Sequence, residues 1–345
     1  MTEKEQYFNI LCNNDYPKFI DKYINTKELK RLDSIGLFCG CDYTKLYSMK
    51  FWYSRLDHSI ATALITWNFS KSKVQTLSAL FHDLGTPSFS HTIDYLLKDS
   101  ENQEKSEKNI KDIVFSSKNL LKLLKDDNIN IEDVIDVSKY SIVENKSPKI
   151  CADRLDGILS TGLIWSKFWS LENIKRIYND IVILENEDYN EELGFLSLKT
   201  ANYFMQGVYK YSIELQKNKN KFFMQFIADN IKYLIYKKEI SFEDLYNLSE
   251  KQIIAKIILN KDLKNNWYIF EDLTTIKKSN IKIKNKYCVA VKSKKRYVIP
   301  LVIVKTKKYR LNKVSVSCSN LLDKYNNFND KKYSYSDKID SFNNI

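Results

Sequence analysis

Two of the three histidines of this chain lie in one short stretch, Phe81–His91, which reads FHDLGTPSFSH. His82 and Asp83 are adjacent there, and the third histidine, His58, lies a little upstream. Imidazole nitrogens and carboxylate oxygens are the usual protein ligands of borderline divalent metals. The sequence therefore predicts a metal site at this stretch, provided that further ligands converge on it from other segments.

Hydrophobic spacing indicates which elements carry these residues. Apolar residues recur at helical intervals from about Ser54 to Phe69, a helix that contains His58. A second helix over about 72–82 ends at the His-Asp pair, because a glycine and a proline follow closely. Neighbouring residues at a helix end can point forward together, which adjacent residues in mid-helix cannot.

A third helix is predicted to begin near Ser88 and to carry His91 and Asp94. These two residues are three apart and share a face, so the carboxylate can orient the imidazole.

A carboxylate on the inner side of a later helix is a further candidate ligand. Ser147 and Pro148 form an N-cap and first-turn signal that predicts a helix from Lys149 to about Thr161. Asp153 lies among the inward apolar residues of this helix. A buried carboxylate needs a partner, and a metal ion is one such partner.

In chain order, His58, His82, Asp83 and Asp153 match the ligand signature of the HD-domain superfamily of metal-dependent phosphohydrolases, which this chain resembles. The resemblance extends to SRLDHS at the first ligand, LFHDLG at the pair and ADRLDGI at the last aspartate. The stretch HDLGTPSFSHTID is also similar to the HD–G–PFSH–D motif of the deoxynucleoside triphosphate triphosphohydrolases, and to bacterial HD proteins in which TP follows the pair. The resemblance is specific over about residues 31–170.

The resemblance implies a mainly α fold built on an HD-domain helical bundle, and one divalent metal ion held by the four ligands. The mixed nitrogen and oxygen donors favour Mn or Fe, while Mg, Zn and Ni stay open. His91 and Asp94 occupy the positions of the catalytic pair of the triphosphohydrolases. His91 is thus the candidate general acid, with an unperturbed pKa near 6.5 that suits the role and that Asp94 is expected to raise.

Arg55 lies one helical turn before His58 and is a candidate ligand for a substrate phosphate. The alternative interpretation is a structural ion pair with Asp57 or Asp156. Both interpretations stay open from the sequence.

One departure from the triphosphohydrolase pattern concerns the residue after HDLG, which is usually a second histidine in those enzymes and is Thr86 here. This departure weakens the prediction of triphosphate release but leaves metal-assisted phosphoester hydrolysis intact. Glu104, in a polar run, is interpreted as a surface residue, with a reach into the site as the alternative.

Length and composition indicate the general class of protein. A chain of 345 residues with 43% apolar residues can bury a full core, and only 7 Gly and 4 Pro favour a mostly helical protein. The six cysteines are scattered without a CxxC pair, which predicts free thiols in a reducing cytoplasm. Neither a signal peptide nor a membrane-spanning apolar run is recognisable, so no membrane association is expected.

Two domains are predicted, a helical phosphohydrolase domain over 1–270 and a small basic, β-containing C-terminal subdomain over 271–345. Residues 171–259 read as amphipathic helices, whereas 287–292, 297–305 and 309–317 read as short strands. The polar tail from Tyr325 onward is predicted to be partly disordered.

The positive charge of the chain is concentrated in one segment. Of the 55 Lys and Arg, 14 lie within 277–313, which leaves 41 against the 43 Asp and Glu of the whole chain. The segment has no acidic residue, and such a segment attracts phosphates, on a small molecule or on nucleic acid.

Three functions remain in competition. The first is a metal-dependent phosphohydrolase that cleaves a phosphoester or phosphoanhydride bond of a nucleotide, with a deoxynucleoside triphosphate as one option. The second is a phosphodiesterase or nuclease that binds nucleic acid through 277–313, and the third is a non-catalytic, metal-bound nucleotide sensor. The expected partners are a nucleotide or another phosphorylated small molecule, and a homo-oligomer is expected.

Overall fold

The structure, a computed structural model, describes residues 1–103 and 108–341. About 52% of the chain is helical, which confirms the mainly α prediction. Among the described residues, no helix combines the length and the apolar character needed to traverse a bilayer. The α-helices of the first half are α1 (Glu3–Leu11), α2 (Asp21–Ile24), α3 (Lys27–Arg31), α4 (Arg55–Ser70), α5 (Lys73–Phe81), α6 (Thr92–Leu96), α7 (Ile110–Ser116), α8 (Lys118–Asp126) and α9 (Ala152–Ser160).

The first two helices predicted around the histidines are confirmed nearly to the residue. Helix α4 begins after Ser54, whose side chain caps it in a reciprocal pair with Asp57. Helix α5 begins after Ser72, whose hydroxyl accepts from the Gln75 amide, and the His-Asp pair follows its last turn. Helix α4 packs against both α5 and α9, so the three segments that carry the predicted ligands are neighbours.

Two predicted helix starts are wrong. Helix α6 begins at Thr92 rather than near Ser88, because Phe89 and Ser90 adopt left-handed backbone angles with φ of 65° and 50°. Helix α9 begins at Ala152 rather than at Lys149. The side chain of Arg154 donates to the Lys149 carbonyl and holds the preceding segment in an irregular conformation.

In the second half the helices alternate with short strands. A π-helical turn, Thr161–Trp165, extends α9. The helices that follow are α10 (Leu171–Tyr178), α11 (Leu198–Gln216), α12 (Asn218–Tyr236), α13 (Asp244–Asn247), α14 (Glu250–Leu259), α15 (Lys264–Glu271), α16 (Leu311–Val314) and α17 (Val316–Asn326), and the strands are β1 (Ile181–Glu185), β2 (Glu191–Phe195), β3 (Lys277–Ser279), β4 (Lys286–Val289), β5 (Leu301–Val304), β6 (Lys307–Arg310) and β7 (Tyr333–Asp340).

The strands form two small sheets, one of which connects distant parts of the chain. The order of the first is β1-β2-β5-β6, in which β2 and β5 are parallel and Gly194 is opposite Leu301. The order of the second is β3-β7-β4, with antiparallel pairing throughout. The C-terminal strands therefore pair with a hairpin from the helical part, and the division into two domains at residue 270 stays a prediction.

Two secondary-structure predictions in this half are wrong. The β1–β2 hairpin interrupts the expected run of helices, because a β-branched run precedes a turn that is held by the side chain of Asn186. Residues after Arg310 turn helical instead of continuing a strand, since the hydroxyl of Ser315 caps α17. The tail contains β7, the central strand of its sheet, and the partial disorder predicted for the tail stays a prediction.

Candidate metal centre

Three of the four predicted metal ligands, His58, His82 and Asp83, place ligand atoms within 4.8 Å of one another, and Asp153 joins them through its contacts with the two histidines. The Nε2 atoms of His58 and His82 are 3.3 Å apart, and His58 Nε2 is 2.9 Å from Asp153 Oδ1. Asp83 Oδ2 lies 3.9 Å from His58 Nε2 and 3.6 Å from His82 Nε2. Neighbouring ligands around an ion at about 2.1 Å are themselves about 3.0–3.5 Å apart, so the donor set fits one divalent ion after small adjustments.

Hydrogen bonds at the far nitrogens orient both imidazoles. His82 Nδ1 lies 2.7 Å from the Ala79 carbonyl oxygen, which can only accept, so the proton is on Nδ1 and Nε2 offers its lone pair. His58 Nδ1 lies 2.6 Å from Asp156 Oδ2. Burial opposes protonation of His58, but its hydrogen bonds with Asp153 and Asp156 raise its pKa to about 10. An ion would have to displace that proton.

Asp156 contacts the far nitrogen of His58, whereas the sequence indicated it only as a possible partner of Arg55. Its carboxylate is completely buried and accepts from the hydroxyls of Tyr7, at 2.6 Å, and Tyr53, at 3.0 Å, besides facing His58. Carboxylates in this outer position fix the tautomer and the direction of a metal-binding imidazole. The sequence feature that could have indicated this contact is the spacing of Asp153 and Asp156, which lie one helical turn apart.

Replacing Asp156 with asparagine is expected to weaken metal affinity about 10- to 100-fold, because the negative charge behind His58 is lost while the side-chain volume is kept. Competition with a chromogenic chelator measures the affinity. The matched control is Tyr7→Phe, which removes one hydroxyl from the Asp156 carboxylate but retains its charge and should have a smaller effect. Unchanged affinity in Asp156→Asn would contradict the positioning role.

Arg55 pairs with the predicted ligand Asp83, a partner that the alternative interpretation did not name. Its Nη1 lies 3.0 Å from Asp83 Oδ2, whereas Asp57 pairs with Lys4. Burial of Asp83 favours its neutral form, but Arg55, followed by the two histidines of the site, holds its pKa well below the usual range. Thr86, at the departure from the triphosphohydrolase pattern, donates to Asp83 Oδ1 at 3.2 Å.

His91 and Asp94 contact each other. His91 Nδ1 is 3.2 Å from Asp94 Oδ2, and the Asp94 side chain is completely buried. The expected rise in the pKa of His91 is wrong: burial, together with the charges of Arg296 and Arg55, lowers the pKa to about 4 against the opposing effect of Asp94.

A cavity of about 570 Å³ opens over the four ligands and His91. Part of its wall comes from the basic segment, through Lys294, Lys295 and Arg296. This wall is fixed by its backbone: the Lys294 amide donates to the Ser100 carbonyl at 2.9 Å, and the Arg296 amide donates to the Tyr325 hydroxyl at 3.0 Å. Aromatic and aliphatic side chains line other parts of it, among them Phe38, Tyr95, Trp165, Tyr211, Phe223, Met224 and Tyr297.

Glu144 is a second residue that the sequence reading missed. Its carboxylate forms a group with Cys151 and Asp153 whose ligand atoms lie within 4.8 Å of one another. Burial, followed by the charge of Asp153, raises the pKa of Glu144 to about 7, although the neighbouring Arg154 opposes the rise. The Glu144 carboxylate also pairs with Arg154 at 2.7 Å, which makes it a poorer cation site than the tetrad. Glu104 lies outside the described residues.

Comparison with known proteins shows the fold. No protein-family model matches the chain. The Bacillus subtilis protein YdhJ, itself uncharacterized, is 23% identical over 235 residues, which cover 67% of this chain and 69% of YdhJ. A hypothetical protein from Aquifex aeolicus superposes with a TM-score of 0.62 at 15% identity, over 92% of this chain and 91% of the other. A phosphohydrolase from Bacteroides thetaiotaomicron superposes with a TM-score of 0.58 at 13% identity, over 90% and 93%. The chain thus shares its fold with these two solved structures.

Proposed function

We propose that this protein is a metal-dependent phosphohydrolase of the HD type that cleaves a phosphoester or phosphoanhydride bond of a nucleotide. The observation that carries the proposal is the convergence of His58, His82, Asp83 and Asp153 at the base of a cavity with a cationic wall. The phosphohydrolase with a similar fold supports the same reaction class.

A divalent ion bound by the tetrad would supply an activated water molecule and polarise the phosphorus centre. His82 and His58 present Nε2 to that ion, the first through its hydrogen bond to the Ala79 carbonyl and the second through Asp156. Arg55 keeps Asp83 ionised and is itself part of the cavity wall.

His91 is proposed to protonate the leaving group from Nε2, since Nδ1 faces Asp94. At neutral pH its low pKa keeps His91 uncharged before substrate arrives. Substrate phosphates placed between His91 and Arg296 would offset the arginine charge and raise the pKa of His91. Binding of the substrate would then promote protonation of His91.

The basic segment supports a small phosphorylated substrate. Lys294, Lys295 and Arg296 face the cavity, whose volume lies in the usual range for small-molecule sites. Elsewhere in the segment, six basic side chains form ion pairs with acidic groups from other parts of the chain: Lys277, Lys278, Lys286, Lys292, Lys308 and Arg310. Much of the charge that would attract nucleic acid is therefore already balanced.

A substrate panel tests the proposal. Protein purified without chelators is supplied with Mn²⁺, Fe²⁺, Mg²⁺, Zn²⁺ or Ni²⁺ and incubated with ribo- and deoxynucleoside mono-, di- and triphosphates and with single- and double-stranded oligonucleotides. Phosphate, pyrophosphate and triphosphate are measured separately. We expect metal-dependent turnover of a nucleotide that a chelator abolishes. Cleavage of oligonucleotides alone would favour the nuclease, and a metal-loaded protein inactive on every substrate would favour the sensor; either result would overturn the proposal.

Arg296→Gln is expected to raise KM about 10- to 100-fold with a smaller change in kcat, because the substrate loses a charged hydrogen bond worth about 1.5–3 kcal/mol. The matched control is Lys307→Gln, the same charge change on an exposed residue of strand β6 in the same segment. Steady-state kinetics on the best nucleotide of the panel measure both variants. An equal effect of the two variants would indicate that overall charge matters and that the cavity contact does not.

A further inference from the structure

The turn that precedes His91 has an unusual backbone. Phe89 and Ser90 both carry a Cβ atom, yet both have positive φ, at 65° and 50°. Residues other than glycine rarely adopt this conformation, and consecutive examples persist only where surrounding contacts hold them. His91 follows directly and is the N-cap residue of α6, so the direction of its imidazole depends on this turn.

The contacts that hold the turn come from a distant part of the chain. The Ser88 amide donates to the Leu245 carbonyl at 2.8 Å, and the Ser88 hydroxyl donates to the Leu248 carbonyl. The Phe89 amide donates to Glu250 Oε1 at 2.9 Å. All three acceptors belong to the segment from α13 to the first residue of α14, far in sequence from the metal ligands.

Glu250 is the one ionisable side chain among these anchors, and it is completely buried. It shares its pocket with Asp42 and Tyr43. Burial, followed by the charge of Asp42, raises the pKa of Glu250 to about 8, although the nearby Tyr43 hydroxyl and the amides of Phe89 and Gly36 oppose the rise. Burial of a carboxyl group with so few compensating charges destabilises the fold. The hydrogen bond that Glu250 accepts from the Phe89 amide offsets part of this cost.

Packing leaves the turn little freedom to relax once it is anchored. Phe89 is completely buried and makes an edge contact with the Tyr43 ring, at 6.0 Å between centroids. Gly40 lies so close that a Cβ atom there would come within 2.9 Å of the Phe89 ring. On the other side, the Ser90 hydroxyl accepts from Arg55 Nε at 2.9 Å, which connects the turn to the metal centre.

We propose that Glu250 is a positioning residue for His91: its carboxyl oxygen accepts from the Phe89 amide and thereby fixes the left-handed turn that directs the imidazole into the cavity. The kinetic part of this inference rests on the proposed function, because it assumes that His91 is the general acid. The geometric part does not depend on any activity.

Histidine-selective NMR tests the geometric part. The chain has three histidines, so ring resonances of protein labelled only at histidine and loaded with diamagnetic Zn²⁺ can be assigned with His91→Ala. In Glu250→Leu, which keeps the volume but removes the acceptor, we expect the His91 resonances to shift or broaden and those of His58 and His82 to stay. Equal shifts of all three histidines, or none, would overturn the proposal.

Kinetics test the functional part on the same variants. Glu250→Leu is expected to lower kcat about 10- to 100-fold, with KM and metal content unchanged, because small displacements of a catalytic group cost about this much. In a His91→Ala background the same change should cost nothing further, since it acts through that residue. A full additional loss there would contradict the proposal.

Two further variants distinguish positioning from stability. Glu250→Gln retains an oxygen acceptor and should retain the His91 resonances, and it serves as the test if Glu250→Leu does not fold; a His91 shift in a folded Glu250→Gln would overturn the acceptor role. Ser249→Ala removes the cap of the same helix and should lower thermal stability without moving His91. A wild-type protein without hydrolase activity would refute the proposed function while the NMR result still decides the role of Glu250.

Discussion

Replacing Asp83 with alanine is expected to abolish both metal binding and hydrolysis. The variant removes one of two carboxylates that face the histidine Nε2 atoms, and it also leaves the Arg55 guanidinium without its 3.0 Å partner at the site. The Arg55 charge, no longer opposed by the Asp83 carboxylate, repels a nearby cation, so the loss should exceed the roughly 10- to 100-fold effect of an outer-sphere change. Elemental analysis and nucleotide turnover on the same preparation measure both effects.

Asp57→Asn is the matched control for this experiment. Asp57 is also a buried carboxylate and is adjacent to His58, but it caps α4 and pairs with Lys4 instead of facing the ligand atoms. We expect a lower melting temperature and a retained ion. An Asp83→Ala protein that is active and fully loaded with metal would refute the tetrad.

The residues at the ends of helices could be predicted because their signals are local. Ser54 and Asp57 mark the start of α4 within one turn of His58. A glycine and a proline mark the end of α5 just after His82. Capping and helix-breaking residues act over three or four positions, so a single sequence is enough to place these ligands on their elements.

The support behind His58 could not be predicted in the same way. Asp153 and Asp156 are one turn apart on α9, and periodicity alone does not decide which faces Nε2 and which faces Nδ1 of the same imidazole. The hydroxyl of Tyr7, 149 residues away, helps to hold Asp156 beside Nδ1 by donating to the second oxygen of its carboxylate. Hydrogen bonds between such distant positions leave no pattern in one sequence.

The sequence also could not predict which surface the basic segment faces. Composition gives the charge of residues 277–313. It does not show the acidic residues that tertiary structure places beside six basic residues of this segment. Nor does it register that backbone bonds, such as that from Lys294 to Ser100, fix the segment against the cavity. Charge density predicts attraction of phosphates, whereas the fold decides which surface receives them.

The start of α6 was misplaced for a related reason. Local propensity favours continuing the helix back to Ser88, but the anchors at Leu245 and Glu250 impose left-handed angles on Phe89 and Ser90. Tertiary contacts override local preference most often at functional sites. His91, the proposed general acid, is the next residue along the chain.

Replacing His91 with alanine is expected to lower kcat about 10²- to 10⁴-fold while the metal content is retained, because a general acid contributes that much and His91 lies outside the tetrad. Asp94→Asn should lose less, since the imidazole remains and only its orientation, set by a 3.2 Å contact, is weakened. Single-turnover rates and elemental analysis of both variants give the comparison. A raised KM with an unaltered kcat in His91→Ala would end the general-acid proposal in favour of passive binding.

The pH dependence gives His91 a second test whose sign follows from its surroundings. A general acid works in its protonated form, so activity is present below its pKa and falls as pH rises through it. In the free protein that pKa is lowered to about 4 by burial and by Arg296 and Arg55. Phosphates bound beside these arginines raise it, so the alkaline fall in kcat should occur at higher pH than the fall in kcat/KM. His91→Ala should remove the fall from both profiles, and Arg296→Gln should bring the two pKa values closer together, because an arginine that lowers the free-protein value is gone.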